Sequence, residues 1–268
     1  MVAARKRAAA NRLTPSVEDR RLSYRDDEII RKEMLPEVDV NIIPPKLFTV
    51  WHSNNLPPHM VENVQHIRAS SPDIEVDVYD FDRCRVFLEK YFTHEVLFAW
   101  AMLKPSAYKS DLWRYCVLYV FGGTYIDIKF RPINGFIVGS NTEEIYIKDR
   151  PGYSSNGNGI INGFMSLKPR NMYMLLAIKQ IVINCHIKYY GDSSLSPTGP
   201  NLLSCIFPIG FKCDGYFDVQ EEAPSNIIEY IYYKGNKILQ IYESYRREQT
   251  IYGESYNNLY TNKDIYIY

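Results

Sequence analysis

The chain has 268 residues, 46% hydrophobic and 23% charged, which is enough for one large domain with a substantial core. Lys plus Arg and Asp plus Glu number 31 each, so no global field draws the protein to nucleic acid or to an anionic membrane. No apolar run reaches the ~20 residues of a membrane span, and the best, 172–187, is broken by Lys179 and Gln180.

Residues 1–40 read as an N-terminal extension ahead of a main domain at 41–268. Its basic, Ala-rich start (1–11) lacks the apolar stretch of a signal peptide. The charged segment 17–34 fits a solvated helix docking through Val17, Leu22, Ile29 and Ile30. Beyond Pro36, Pro44 and Pro45, strand-like and helix-like patterns alternate: a strand at 46–51, a helix at 57–69, and a strand at 74–79 with Ile74, Val76 and Val78 on one face. Helices follow at 81–92, 93–103 and 105–121, the last closed by Gly122-Gly123, and then a strand at 124–130. Such alternation predicts an α/β sheet flanked by helices. The second half reads as a helix at 171–190, a loop at 191–201, short strands and a tyrosine-rich tail. The five cysteines, Cys84, Cys116, Cys185, Cys205 and Cys213, are widely spaced with no CxxC pair. They read as packed, reduced thiols, and hence as a cytoplasmic protein.

The chemistry concentrates at 106–130. In the expected strand, Tyr125, Asp127 and Lys129 share one face, with Thr124, Ile126, Ile128 and Phe130 on the other. Asp111 and Arg114 are neighbours on a helix that is apolar almost all round. If helix and strand fold back across the Gly-Gly turn, Asp111 lies roughly 15 Å along the helix and Asp127 roughly 13 Å along the strand. Two acids and two bases then converge. They either form internal salt bridges or serve a sugar diphosphate, with acids for a divalent cation or hydroxyls and bases for phosphate oxygens.

The segment 108–129 (YKSDLWRYCVLYVFGGTYIDIK) closely resembles the signature of glycosyltransferase family 32, the sugar-binding region containing a DXD motif. The likeness continues in PKLFTVW (45–51), NLPP (55–58), INGF (161–164), Lys168-Pro169, Tyr190-Gly191, TGP (198–200) and the tail 242–266, so it covers about 44–266. It implies a GT-A fold, a Rossmann-like nucleotide-binding sheet joined to an acceptor-binding half, and mostly retaining transfer with Mn²⁺ or Mg²⁺. Relatives make capsular polysaccharide or occur in large DNA viruses, where the location would be the host cytoplasm. The catalytic set it suggests is Asp111, Arg114, Asp127 and Lys129, with a UDP-sugar favoured over a GDP-sugar and a glycan or glycoprotein hydroxyl as acceptor. Donor contacts are expected from Thr49, Val50 and Trp51 near the base, and from Tyr79, Tyr108, Gly122, Gly123, Tyr125 and Asp127. Asn162, Gly163, Thr198 and Gly199 are expected on acceptor-side or loop positions.

One departure matters. The family's Asp-x-Asp is here Asp127-Ile128-Lys129. Either Asp127 alone, with phosphates and waters, holds the metal, or Lys129 supplies part of its positive charge. A relative that binds sugar nucleotides without catalysis is the second reading. A third takes Pro72-Asp73 with Asp127-Ile128-Lys129 as the PD…(D/E)xK pattern of metal-dependent nucleases, against which the neutral charge speaks. Residues 152–163, with Asn156, Asn158 and Asn162, read as a loop that is either plain surface or substrate-facing.

Overall fold

Leu47, Phe48, Thr49 and Val50 are apolar or β-branched, and with Lys46 they form strand β1 (Lys46–Val50), buried along nearly its whole length. A strand buried on both faces needs cover on both. Leu47 packs with Ile67 of helix α2 (Pro58–Ser70), while Phe48 and Val50 join the larger cluster on the opposite face. Strand β2 (Glu75–Tyr79) runs parallel to β1, in register from Lys46↔Glu75 to Val50↔Tyr79.

Three helices return the chain to the other side of β1. They are α3 (Phe81–Tyr91), whose Arg83 amide donates to the capping carboxylate of Asp80, then α4 (His94–Met102) and α5 (Ser106–Phe121). Strand β3 (Gly123–Ile126) then pairs parallel with β1. The first strand thus lies between its two successors, with its neighbours reached in opposite directions. Ligands of α/β sheets bind at such a switch point, outside the carboxyl ends of the strands.

The computed structural model describes residues 24–133, 142–150, 159–223, 226–252 and 255–267. The N-terminal arm, Val17, Leu22, Asn156 and Asn158 lie outside them. The remaining strands are β4 (Phe130–Pro132), β5 (Ile145–Lys148), β6 (Ile160–Leu167), β7 (Gly215–Ala223), β8 (Asn226–Tyr233) and β9 (Asn236–Ile241). They complete a nine-stranded mixed sheet in the order β2-β1-β3-β6-β5-β7-β8-β9-β4. Strands β3 and β4 are six places apart in that order, about 29 Å if the sheet were flat, yet only residues 127–129 join them. Four residue steps reach at most about 14 Å, so the sheet must curl to bring β4 back towards β3.

Helix α6 (Met172–His186), capped by Asn171, packs on α5, and the shorter α7 (Pro200–Ile206), α8 (Tyr245–Tyr252) and α9 (Tyr256–Thr261) complete the structure. Among the described residues no helix is long and apolar enough to cross a membrane. All five cysteines are free, three of them buried, but Cys205 is exposed rather than packed.

Several expectations are corrected. The strand expected at 124–130 breaks after Ile126 and resumes at Phe130. In place of a charged helix over 17–34, the described part holds one turn, α1 (Asp26–Ile29), and a 3-10 turn at Lys32–Met34. Ile30 turns extended there to bridge Phe92, and Ile29 and Ile30 are buried in the main core. The strands of the second half form a long antiparallel meander of nine, eight and six residues, and the tyrosine-rich tail is partly helical.

Candidate active site

Helix α5 is buried on every side because Leu112, Trp113, Tyr115, Cys116, Val117 and Leu118 leave it no polar face. Charges on such a helix need partners. Asp111 has them: Asn162 Nδ2 donates to Oδ1 at 2.9 Å, Thr198 Oγ1 to Oδ2 at 2.7 Å, and Arg114 Nη2 lies 3.1 Å from Oδ1. Arg114 Nη1 donates to Asp127 Oδ1 at 2.9 Å and to the Asn162 carbonyl at 2.8 Å, with the guanidinium 4.4 Å over the Tyr125 ring. Asp127 Oδ1 also accepts from the Tyr125 hydroxyl at 3.0 Å.

Beyond Asp127 the series continues. Lys129 Nζ is 3.9 Å from Asp127 Oδ2 and 2.9 Å from Glu229 Oε2, and Glu229 Oε1 is paired with Arg246. Asp111, Arg114, Asp127, Lys129, Glu229 and Arg246 therefore form one chain of alternating charge. Burial pushes the Asp111 carboxyl up, opposed by Arg114 and by the Thr198 and Asn162 donors. Burial alone would lower Arg114, but the Tyr125, Asp127 and Asp111 groups raise it, and it stays a cation. Burial would likewise lower Lys129, but Glu229 and Asp127 raise it overall. Glu229 is the converse: burial would raise it, and Lys129 and Arg246 hold it below the ordinary 4.5.

The break between β3 and β4 is what aims these groups. The Asp127 amide donates to the Gly163 carbonyl at 2.7 Å, and Phe130 N closes a turn on the Asp127 carbonyl at 2.9 Å. Buried Asn63 of α2 pins the turn, donating to the carbonyls of Ile128 at 2.8 Å and Phe130 at 2.9 Å, while Tyr242 N donates to the Lys129 carbonyl at 3.0 Å. Ile128 and Phe130, expected on the opposite face from Asp127, also reach the cavity wall.

The cavity so formed holds about 430 Å³, within the range of small-molecule sites, and lies at the carboxyl ends of β1 and β3. Asp111, Arg114, Asp127 and Lys129 all line it, as do Val50, Trp51, Tyr108, Tyr125, Asn162 and Gly163. Other expected contacts do not. Thr49 is wholly buried within β1. Tyr79 packs on Trp113 at 4.6 Å and borders a separate groove beside α2. A Cβ on Gly122 would lie 2.6 Å from Pro169, and one on Gly123 2.7 Å from the Lys46 carbonyl oxygen. Those glycines therefore admit the neighbouring protein backbone, not a ligand. Thr198 and Gly199 lie behind Asp111: Thr198 is fully buried on its carboxylate, and a Cβ on Gly199 would be 3.5 Å from Oδ2. Asp73 of the nuclease pattern is not on the cavity wall.

Sequence reasoning missed Glu229, Tyr245, Arg246, Tyr256, Asp149 and Arg150, all of which line the cavity. One signal was available. Glu229 is the lone charge in the apolar run of β8, and it is only 7% exposed. Nothing local marks Arg246 or Tyr256.

The donor set does not fit a divalent cation held by the protein. Both Asp111 oxygens, both Glu229 oxygens and Asp127 Oδ1 are engaged by cations or hydrogen-bond donors, and Asp149 Oδ1 accepts from the Arg150 amide, which leaves, besides the second Asp149 oxygen, Asp127 Oδ2. A hard divalent ion prefers several oxygens, and the Lys129 ammonium stands 3.9 Å from this one. Among the described residues, no group of three or more His, Cys, Asp or Glu could hold a metal ion.

Residues 57–146, about a third of the chain, match the family model described as "Glycosyltransferase sugar-binding region containing DXD motif". The match runs from α2 into β5 and includes Asp111, Arg114, Asp127 and Lys129. Among solved structures, one titled "PaToxG Glycosyltransferase" is similar at 14% identity and a TM-score of 0.47, covering 62% of this chain and 68% of that one. No curated protein matches.

Proposed function

We propose that this chain transfers a sugar from a nucleotide-sugar donor, UDP-linked in preference to GDP-linked, to a hydroxyl of a glycan or glycoprotein, with retention at the anomeric carbon. The observation that carries the reading is the charge chain from Asp111 to Arg246 lining an open cavity at the carboxyl ends of β1 and β3. Its first four members lie inside the matched sugar-binding region. Arg114 and Lys129 offer donors to diphosphate oxygens, and Asp111, fixed by Asn162, Arg114 and Thr198, offers its one remaining lone pair, on Oδ2, to a sugar hydroxyl. Trp51 on the cavity wall provides an apolar face for the base.

In the transfer, the bond between the anomeric carbon and the diphosphate breaks with its electrons on the phosphate oxygen. The acceptor hydroxyl bonds to the same face of that carbon, and the departing phosphate takes the hydroxyl proton, so no dedicated base is needed. Preorganised positive charge at the leaving group lowers the barrier. The test is a panel of UDP- and GDP-sugars scored by thermal shift and by donor hydrolysis, on the wild type and on Asp111→Asn. The wild type is expected to be stabilised and to hydrolyse one donor, and the folded variant to lose hydrolysis. Hydrolysis unchanged in the variant would remove Asp111 from the mechanism, and stabilisation without hydrolysis by the wild type would favour a non-catalytic binder.

A further inference from the structure

We infer that the charge a divalent cation brings to a two-carboxylate site is built into this chain as the Lys129 ammonium, so that the diphosphate is bound and leaves without an added metal. The inference rests on the reading of the cavity as a nucleotide-sugar site.

Charge is the first argument. Two carboxylates with a divalent cation sum to zero, and so do Asp127 and Lys129. The substitution within Asp127-Ile128-Lys129 keeps the local balance with no ion, whereas adding one would leave two uncompensated positive charges beside a buried arginine. Geometry is the second. Lys129 is not a loose surface lysine: its ammonium is 2.9 Å from Glu229 Oε2 and 3.9 Å from Asp127 Oδ2, and its carbonyl is held by Tyr242 N at 3.0 Å. Its side chain is 22% exposed and lines the cavity, so one of its three N–H donors can turn to a phosphate oxygen while another keeps Glu229.

Glu229 completes the arrangement as a positioning residue. It is 7% exposed and faces two cations, Lys129 and Arg246, so its own negative charge is balanced where it reaches the cavity wall. With Arg114 on the other side of Asp127, the diphosphate meets cations from α5, from the turn after β3 and from α8. Arg114 and Lys129, held in place, with the more exposed Arg246 beside them, supply what one bound ion otherwise would.

The experiment is calorimetric titration of the full chain with UDP, and with GDP as second nucleotide, once in EDTA and once in Mn²⁺. For the wild type the two Kd values for the preferred nucleotide are expected to agree within about threefold. Lys129→Asp, which restores Asp-x-Asp, is expected to bind at least about tenfold more weakly in EDTA and to recover with Mn²⁺. Lys129→Met, which keeps the apolar stem, covers the case in which the acidic variant does not fold, and it should lose about tenfold under both conditions. A wild type that loses about tenfold or more in EDTA, or a Met variant with unchanged affinity, overturns the inference and leaves the nucleotide-sugar reading standing. No binding of either nucleotide under either condition removes that reading, and the inference with it.

Discussion

Gly163 has no side chain because Asp127 occupies the space. A Cβ there would lie 2.7 Å from Asp127 Oδ2 and 3.3 Å from the Phe130 ring, so Gly163→Ala pushes the carboxylate off Arg114 without straining an unusual backbone. Displacements of about 1 Å can cost ~10²-fold in rate, and we expect a loss of that order in donor hydrolysis with melting nearly unchanged. Thr198 illustrates a different dependence. Its hydroxyl is a buried donor to Asp111, and Thr198→Val leaves that oxygen short of a partner at about 1–3 kcal/mol of stability, measurable by urea unfolding. Glu229 predicts a pH effect. Its carboxyl is held below 4.5 by Lys129 and Arg246 against the upward push of burial. A carboxyl lowered in the folded state contributes stability that is complete above the unfolded value and is lost as pH falls through the folded one. The stability difference between wild type and Glu229→Gln is therefore expected to stay constant from about pH 6 to 8 and to shrink below about 4.5, where Asp111, common to both, cancels.

At the scale of elements, the turn between β3 and β4 decides where the site points. Its carbonyls are fixed from outside by Asn63, whose own oxygen accepts from Arg131 Nε at 3.1 Å, so this buried amide is satisfied on both ends. Asn63→Leu keeps the volume and removes these bonds; we expect weaker nucleotide binding together with a stability loss of about 1–3 kcal/mol. The N-cap of α6 is the matched control. Asn171 accepts from Met174 N at 3.2 Å, away from the cavity wall. Its Nδ2 also donates to Glu144 at 2.9 Å and to the buried Tyr146 hydroxyl at 2.7 Å, so Asn171→Ala should cost about 1–3 kcal/mol with nucleotide affinity unchanged. Helix α8 matters for a reason that its own sequence hides. It brings Tyr245 and Arg246 to the cavity, and it is held there by the Tyr242 hydroxyl, which donates to Glu248 at 2.7 Å, and by His59 N, which donates to Glu248 at 3.0 Å.

For the whole molecule, the curl of the sheet makes one cavity from distant parts of the chain, α5 and the β3–β4 turn on one side, β8 and α8 on the other. Ligand that bridges these parts should stabilise all of them together. At a hundredfold excess over Kd the gain is about 2.7 kcal/mol, roughly 5–10 °C in melting temperature, and a single cooperative shift rather than a partial one is the expected trace. The first half of this architecture was legible from the residues alone. Alternation in β1 and β2, proline and glycine punctuation, and the apolar wrap of α5 are local signals, and they located the elements from Lys46 to Gly123 within a residue or two. The helix and strand lengths even matched the levels of Asp111 and Asp127, because rise per residue is a property of the backbone. What the residues could not convey is pairing over long separations. The Gly-Gly turn reads as room for a ligand until Pro169 and Lys46 are seen to fill it, and Thr198 reads as a loop contact until it is found beneath Asp111. Glu229 meets Lys129 only when the sheet closes, since a charge in a strand announces that it needs a counterion but not which one. Periodicity belongs to the sequence, whereas the choice of which buried charges meet belongs to the tertiary structure, because Lys129 and Glu229 are brought together by the packing of segments about a hundred residues apart.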